Sequence, residues 1–243
     1  MFRMEIPTKF VDKAKFVLGI FTDVETEYDA LLRLMSLTFD AVWRRRMLAK
    51  IDSAGRAMVL DLACGTGLVT FELARSMGRE GMVVGLDLSP AMLTVARRNR
   101  NRVHRNCAIE LVRAAGEFLP FRAGLFDNIT VGLALRNFAN KEAVFRESLR
   151  VLTRSGWFLS VDFVRPSNSQ VWLLYRFHIF RVLPTLGRVV SPYWNRTLTY
   201  LANSILIATP PEKSRRLLLE VGFQRTLLEK MSLGVVALIG AQK

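Results

Sequence analysis

Asp61 and Asp87 are the two residues whose type and spacing say most about chemistry in this chain. Each closes a short apolar run, Val59-Leu60-Asp61 and Val84-Gly85-Leu86-Asp87. Between them Cys64-Gly65-Thr66-Gly67 turns through small residues into a helical pattern. A strand, a glycine turn, a helix and a second strand tipped by a carboxylate make up a nucleotide-binding βαβ unit. Gly65 and Gly67 let the backbone approach a ligand without a Cβ in the way. Asp87, about twenty residues past the turn, can accept hydrogen bonds from two ribose hydroxyls. The third glycine of a dinucleotide fingerprint is missing, since Val69, Thr70 and Phe71 already read as helix. Asp61 stands near where a phosphate would lie, and a carboxylate there repels phosphate but attracts a cation. S-adenosylmethionine meets both demands: it has an adenosine, two ribose hydroxyls, an ammonium and a sulfonium, and no phosphate.

The elements that must hold these acids follow from the pattern around them. Apolar runs at 58–62, 82–86, 108–113, 127–133 and 157–163 read as strands, with helices at 67–77 and 142–152 between them. Ser89-Pro90 opens a further helix, serine as N-cap and proline in the first turn. Ser155-Gly156 is expected as the turn into the fifth strand. Such alternation implies a parallel sheet covered on both faces. Before it, residues 9–51 carry apolar residues at helical spacing, including Leu31, Leu34 and Met35, and read as a helical cap. After Arg165-Pro166-Ser167-Asn168-Ser169, residues 171–190 form an aromatic-rich helix that Pro184 breaks or kinks. A helix at 212–221 and strands at 223–229 and 234–241 close the chain. We divide one domain into a cap (1–52), a cofactor-binding half (53–165), a lid insertion (166–211) and closing elements (212–243).

Composition narrows the setting. Two cysteines, Cys64 and Cys107, make no disulfide framework, and no Cys/His cluster has metal-ligand spacing. The N-terminal residues have no unbroken apolar core and no run is long enough to span a bilayer, so a cytoplasmic location is expected. The net charge of +14 points to an anionic partner. Arg97, Arg98, Arg100 and Arg102 have no interleaved aromatics, and no motif for a flipped base is present, so nucleic acid does not fit well. An anionic membrane surface fits better, with the protein peripherally associated. The lid is either a buried helix or one whose apolar face meets a greasy substrate or the membrane interface.

The motif Asp61-Leu62-Ala63-Cys64-Gly65-Thr66-Gly67 resembles the first motif of class I S-adenosylmethionine-dependent methyltransferases. Further segments sharpen this: Tyr28-Asp29, Trp43-Arg44-Arg45, Gly132-Leu133-Ala134-Leu135-Arg136-Asn137, Phe180-Arg181-Val182-Leu183-Pro184, Tyr200-Leu201 with Ser204-Ile205, and Gly234-Val235-Val236-Ala237-Leu238. In that order they resemble the ubiquinone/menaquinone biosynthesis C-methyltransferase family from about Tyr28 onward. The resemblance implies a Rossmann-like α/β fold: a seven-stranded, mostly parallel sheet with an antiparallel C-terminal strand. It implies methylation of a ring carbon of a polyprenylated benzoquinol or naphthoquinol, a lipid-soluble substrate. It implies cofactor contacts from Asp61, Ala63, Gly65, Thr66, Gly67, Asp87, Leu88, Ala115, Gly116 and Gly132. Ala115 falls where the family has an Asp or Asn beside the adenine, so a backbone group or Glu117 must substitute. Asp162 stands where the family has Glu.

A quinol carbon becomes nucleophilic when its neighbouring hydroxyl ionises, and a phenol near pKa 10 needs a base or a cation for that. Arg136 and Asn137 follow the fourth strand, at the edge where open α/β sheets bind ligands. We expect Arg136 to stabilise the phenolate, unless it pairs with Asp162 or Glu142. Asn137 is expected to hydrogen-bond a quinol oxygen, and Tyr28 to close over the ring. The base is left between His178, Asp162 and water; His104 is expected at the surface. A different small or lipid acceptor, RNA, or a non-catalytic subunit are the competing readings, and the sequence leaves room for a homodimer.

Overall fold

The computed structural model describes residues 4–51, 56–103 and 105–243. His104 and the expected boundary between cap and cofactor-binding half lie outside the described residues. Three helices come first, α1 (Phe10–Thr22), α2 (Tyr28–Ser36) and α3 (Asp40–Leu48). The core alternation follows: β1 (Met58–Leu62), α4 (Leu68–Ser76), β2 (Met82–Asp87), α5 (Pro90–Arg100), β3 (Ala108–Arg113), β4 (Phe126–Gly132), α6 (Lys141–Val151) and β5 (Leu152–Phe163). The lid contributes α7 (Ser169–Phe177), a π turn (His178–Val182), α8 (Leu183–Val190) and α9 (Pro192–Leu206). The chain closes through α10 (Pro211–Val221), β6 (Arg225–Met231) and β7 (Val236–Gln242).

The seven strands form one sheet in the order β3-β2-β1-β4-β5-β7-β6. β7 runs antiparallel to both β5 and β6, and the pairs from β3 through β5 are parallel. Side chains alternate across the sheet with period two. Val59, Val83, Ile109, Leu159 and Val161 pack toward the cap, α4 and the lid. Leu60, Leu62, Val84, Leu86, Ile129 and Phe158 pack toward α6 and α10. The order reverses at β1, whose neighbours are β2 and β4, and this leaves a crevice beyond the carboxyl ends of the strands.

Ser89 caps α5 as expected: its Oγ accepts the Met92 N–H at 3.2 Å, with Pro90 at the first helical position. Three expectations need correction. β5 begins at Leu152, so Ser155-Gly156 interrupts no strand; the register against β4 shifts there, with Ser155 at φ 69°. Pro184 does not break the lid helix. Its missing N–H is absorbed by the π turn just before it, where the Leu183 N–H reaches the His178 carbonyl. Finally, 192–206 forms a fifteen-residue helix where no element is expected. Ser191 caps it by accepting the Trp194 N–H at 3.1 Å, again followed by proline.

The 171–190 stretch is partly buried: Ile179 and Leu183 enter the core, and Trp172 and Tyr175 pack against it. α7 buries none of its residues, while the inner side of α9 is fully enclosed. Tyr200 of α9 packs edge-on against Phe16 and Phe21 of α1, and Phe21 in turn meets Tyr28 of α2. This aromatic cluster ties cap to lid. Among the described residues no helix is long and apolar enough to cross a membrane.

Candidate active site

A cleft lies over the carboxyl ends of β1, β2 and β4, roofed by α1 and α2. Asp61 and Asp87 both line it. Asp61 is 1% exposed and accepts hydrogen bonds from Thr70 Oγ1 at 2.6 Å and Thr130 Oγ1 at 2.9 Å. Burial outweighs these bonds and pushes its pKa up to about 7. A buried carboxylate with two hydroxyl donors and, among the described residues, no ion-pair partner fits a ligand that brings a positive charge.

Asp87 is held by the backbone. Its Oδ2 accepts the Gly65 N–H and its Oδ1 the Ser89 N–H, both at 2.8 Å. Burial lifts its pKa against those bonds. Each oxygen keeps lone pairs for ribose hydroxyls. Gly65 has φ 55°, and a Cβ built there would meet nothing within 4 Å. Glycine at this point therefore keeps the cleft floor open. Thr66 donates to Asp29 Oδ1 at 2.6 Å, linking the glycine turn to α2, and its carbonyl accepts Asn99 Nδ2 at 3.1 Å.

Ala63, Leu88, Ala115, Gly116 and Gly132 also line the cleft. Gly67 does not; at φ 94° it shapes the turn as N-cap of α4. The Cβ that Gly116 lacks would fall 2.6 Å from the Phe138 ring, so only glycine lets that ring pack so close to the backbone there. Glu117 is buried beside it, with Oε1 accepting the Ala139 N–H at 3.1 Å. It fixes the loop there in addition to lining the cleft. These groups fit S-adenosylmethionine: Asp87 would hold the ribose, Asp61 would face the cationic end, and Gly116 and Phe138 would flank the base.

Tyr28 and Asn137 line the same cleft, as do Phe10 and Phe21. Burial pushes the Tyr28 phenol up to about 12, against the nearby charge of Arg136. Asn137 Oδ1 accepts from Tyr200 Oη at 2.9 Å, which leaves the amide nitrogen free to donate.

Two expected catalytic residues are not brought to the cleft. Arg136 is 5% exposed and absent from the lining. Its guanidinium pairs with Asp162, donates to Ser204 Oγ at 3.0 Å and donates to the Leu133 carbonyl at 2.6 Å. Its backbone N–H also reaches Asp162 Oδ2, at 2.8 Å. The pairing with Asp162 is thus realised, and Arg136 lines a smaller pocket with Asp162 and Lys141 rather than the main cleft. His178 sits in the π turn against the Met35 carbonyl, also outside the lining, and burial lowers its pKa. Its Nε2 is buried and, among the described residues, has no hydrogen-bond partner.

Sequence reasoning missed Lys13, Asp29, and the way Tyr200 and Ser204 reach the site. Lys13 Nζ donates to the carbonyls of Arg136 at 3.2 Å and Phe138 at 2.9 Å, which pins the loop carrying Asn137 from the α1 side. Burial lowers its pKa to about 8. Its one sequence signal is a lysine on the buried face of an amphipathic helix. Tyr200 and Ser204 depend on α9, and Ser191-Pro192 signalled that helix.

The comparisons agree with this geometry. The model of the ubiE/COQ5 methyltransferase family matches residues 9–243. The ubiquinone/menaquinone biosynthesis C-methyltransferase UbiE of Idiomarina loihiensis is 35% identical over 232 residues, covering 93% of this chain and 90% of that protein. Among solved structures, an S-adenosylmethionine-dependent methyltransferase from Thermotoga maritima shares the fold. Its TM-score is 0.63 at 15% identity, over 93% of this chain and 99% of that one. The Haemonchus contortus phosphoethanolamine N-methyltransferase 2, solved with S-adenosyl-L-methionine, gives a TM-score of 0.59 at 15% identity, over 82% of this chain and 52% of that one. With its sheet order, its two strand-tip acids and a match that spans nearly its whole length, the chain belongs to the ubiE/COQ5 methyltransferase family.

Proposed function

We propose that this enzyme methylates a ring carbon of a polyprenylated quinol that it meets at a membrane surface, with Asn137 and Tyr28 holding the acceptor ring. It is an S-adenosylmethionine-dependent C-methyltransferase of ubiquinone/menaquinone biosynthesis. The observation that carries the acceptor reading is the shared cleft: Asp61 and Asp87 line it together with Tyr28, Asn137 and apolar rings of the cap.

When bound, the donor supplies a methyl group on a positively charged sulfur. The protein's work is to hold the acceptor carbon in line and to favour the ionised quinol. Asn137, its amide oxygen taken by Tyr200, donates from nitrogen to a quinol oxygen. Tyr28 closes the ring in from α2. Arg136 acts from behind as a positioning residue, tying the Asn137 loop to Asp162 and Ser204. With the donor bound, the methyl would pass from sulfur to the ring carbon, leaving a neutral thioether, and the ring proton would pass to water to restore aromaticity.

The test is incubation with labelled S-adenosylmethionine and extracted quinols, followed by mass analysis of the product. A methyl on a ring carbon is expected. A methyl on oxygen or nitrogen rejects the acceptor assignment.

A further inference from the structure

We propose that the protein docks on anionic phospholipid bilayers through one face built from three tips. These are the α2–α3 turn with Leu37 and Phe39, the β6–β7 hairpin with Leu233, and the outer side of α7 with Leu174 and Phe177. The proposal rests on the reading above for its purpose, since it names the face by which a lipid-borne acceptor is reached.

Backbone geometry carries it. Among the described residues seven non-glycine positions have positive φ, and four of them pair up at two of these tips: Leu37 (51°) with Thr38 (67°), and Ser232 (49°) with Leu233 (57°). The left-handed region disfavours any residue with a Cβ, and glycine or asparagine relieves it. Leucine there serves no local purpose. Nor does either leucine fill the protein's own core: Leu37 is 59% exposed and Leu233 is 81% exposed. A bulky apolar side chain that is both strained and solvated points to burial in something outside the chain.

The tips are neighbours. Trp43 Nε1 donates to Ser232 Oγ at 2.8 Å, and Phe39 stacks on Trp43 with ring centroids 6.4 Å apart. The Cβ position of Gly234 is 3.7 Å from Pro166, which leads into α7. His178, just past α7, lies against the carbonyl of Met35, two residues before Leu37. α7 itself leaves Leu174 and Phe177 in solvent.

Charge selects the occupant. Arg176, Arg181 and Arg188 line a groove with Phe177 and Phe180 beside these tips. Among the described residues none of the three is in an ion pair. Apolar tips at the acyl boundary with guanidinium groups at phosphate level match an anionic bilayer. The chain's net charge of +14 acts in the same direction.

The experiment is sedimentation with phosphatidylcholine vesicles, with and without phosphatidylglycerol, of the full chain and of the double variant Leu37→Asn/Leu233→Asn. The full chain is expected to prefer the phosphatidylglycerol vesicles. The variant is expected to lose at least about tenfold in partition, because two leucine side chains leave the interface. Its thermal midpoint is expected to hold or rise, since asparagine tolerates the left-handed region. Its turnover of a short-chain, water-soluble quinol is expected to match the parent. Equal partition of variant and parent overturns the proposal, and so does a lowered midpoint, which would mean the leucines serve the fold. Tighter binding of the full chain to single-stranded RNA than to vesicles at matched salt overturns it as well. A parent that binds these vesicles but methylates no quinol would instead sink the acceptor assignment, so the two failures are separable.

Discussion

Tyr200 Oη donates to Asn137 Oδ1 at 2.9 Å, and that bond decides which end of the Asn137 amide faces the cleft. With the oxygen occupied, only the nitrogen is left to meet an acceptor oxygen. Tyr200→Phe frees the amide to rotate while keeping the aromatic packing on Phe16 and Phe21. Turnover should fall by about tenfold, the effect of one net hydrogen bond at the transition state. Asn137→Ala should lose about 10²- to 10³-fold, as when an oxyanion donor is removed. Donor affinity, read by calorimetry, should be unchanged in both. Equal loss of donor binding would remove Asn137 from the acceptor end.

Asp61 makes donor binding depend on pH in a predictable direction. Burial raises its pKa to about 7 in the empty cleft, and a cationic ligand pulls it down again. Binding therefore releases a proton. Affinity should weaken by up to about tenfold per unit as pH falls below 7, and Asp61→Asn should flatten that slope. Folding shows the opposite sense. A carboxyl with a raised folded pKa contributes stability that is present below its unfolded pKa of about 3.9 and lost as pH rises to about 7. Asp61→Asn should thus raise the melting midpoint of the donor-free protein near about pH 8 while weakening the donor. A variant that is less stable there contradicts the assignment.

The strand-tip acids and the capped helix at Ser89 were legible because each depends on neighbours in sequence. Asp61 reads as cation-seeking from its place in the βα turn, and Ser89-Pro90 reads as a helix start from two residues. What was not legible depends on which side of a loop a side chain takes. Arg136 and Asn137 are adjacent, yet one turns into the Asp162–Ser204 network and the other into the cleft. Resemblance named both and could not separate them. His178 looked catalytic by type, but only the π turn shows that it packs on α2. Lys13 lies over a hundred residues from the carbonyls it holds, and no local pattern reports that. α9 is a different case. Ser191-Pro192 carries the same signal as Ser89-Pro90.

Gly65 and Gly124 offer an internal control for the cleft floor. Both have positive φ, 55° and 63°, and a Cβ at either would meet no atom within 4 Å. Alanine at either position should therefore cost the fold a similar amount, about 1 kcal/mol from the left-handed backbone. Only Gly65 faces the cleft. Gly65→Ala should weaken S-adenosylmethionine binding by at least about tenfold, one methyl group displacing a ligand that needs the backbone close. Gly124→Ala should bind the donor as the parent does. If both variants lose donor affinity alike, backbone strain and not cleft space is the cause.

Arg136 and Asp162 should behave as a buried pair whose loss is seen first in stability and then in turnover. Their side chains are 2% and 9% exposed. Arg136→Met leaves the Asp162 carboxylate buried without its partner, which should destabilise the fold by about 3–5 kcal/mol in denaturant unfolding. Adding Asp162→Asn removes that charge and keeps an oxygen for the Arg136 backbone N–H, so the double variant should recover much of the loss. Recovery of the fold should not bring recovery of turnover. In both variants the loop before Asn137 has lost its ties to Ser204 and to the Leu133 carbonyl, so Asn137 is no longer held from behind. Donor affinity of the double variant should stay near that of the parent, because Asp61, Gly65 and Asp87 are untouched. A double variant that regains full turnover would reduce Arg136 to a folding residue, and one that loses donor binding as steeply as turnover would put it at the other end of the cleft.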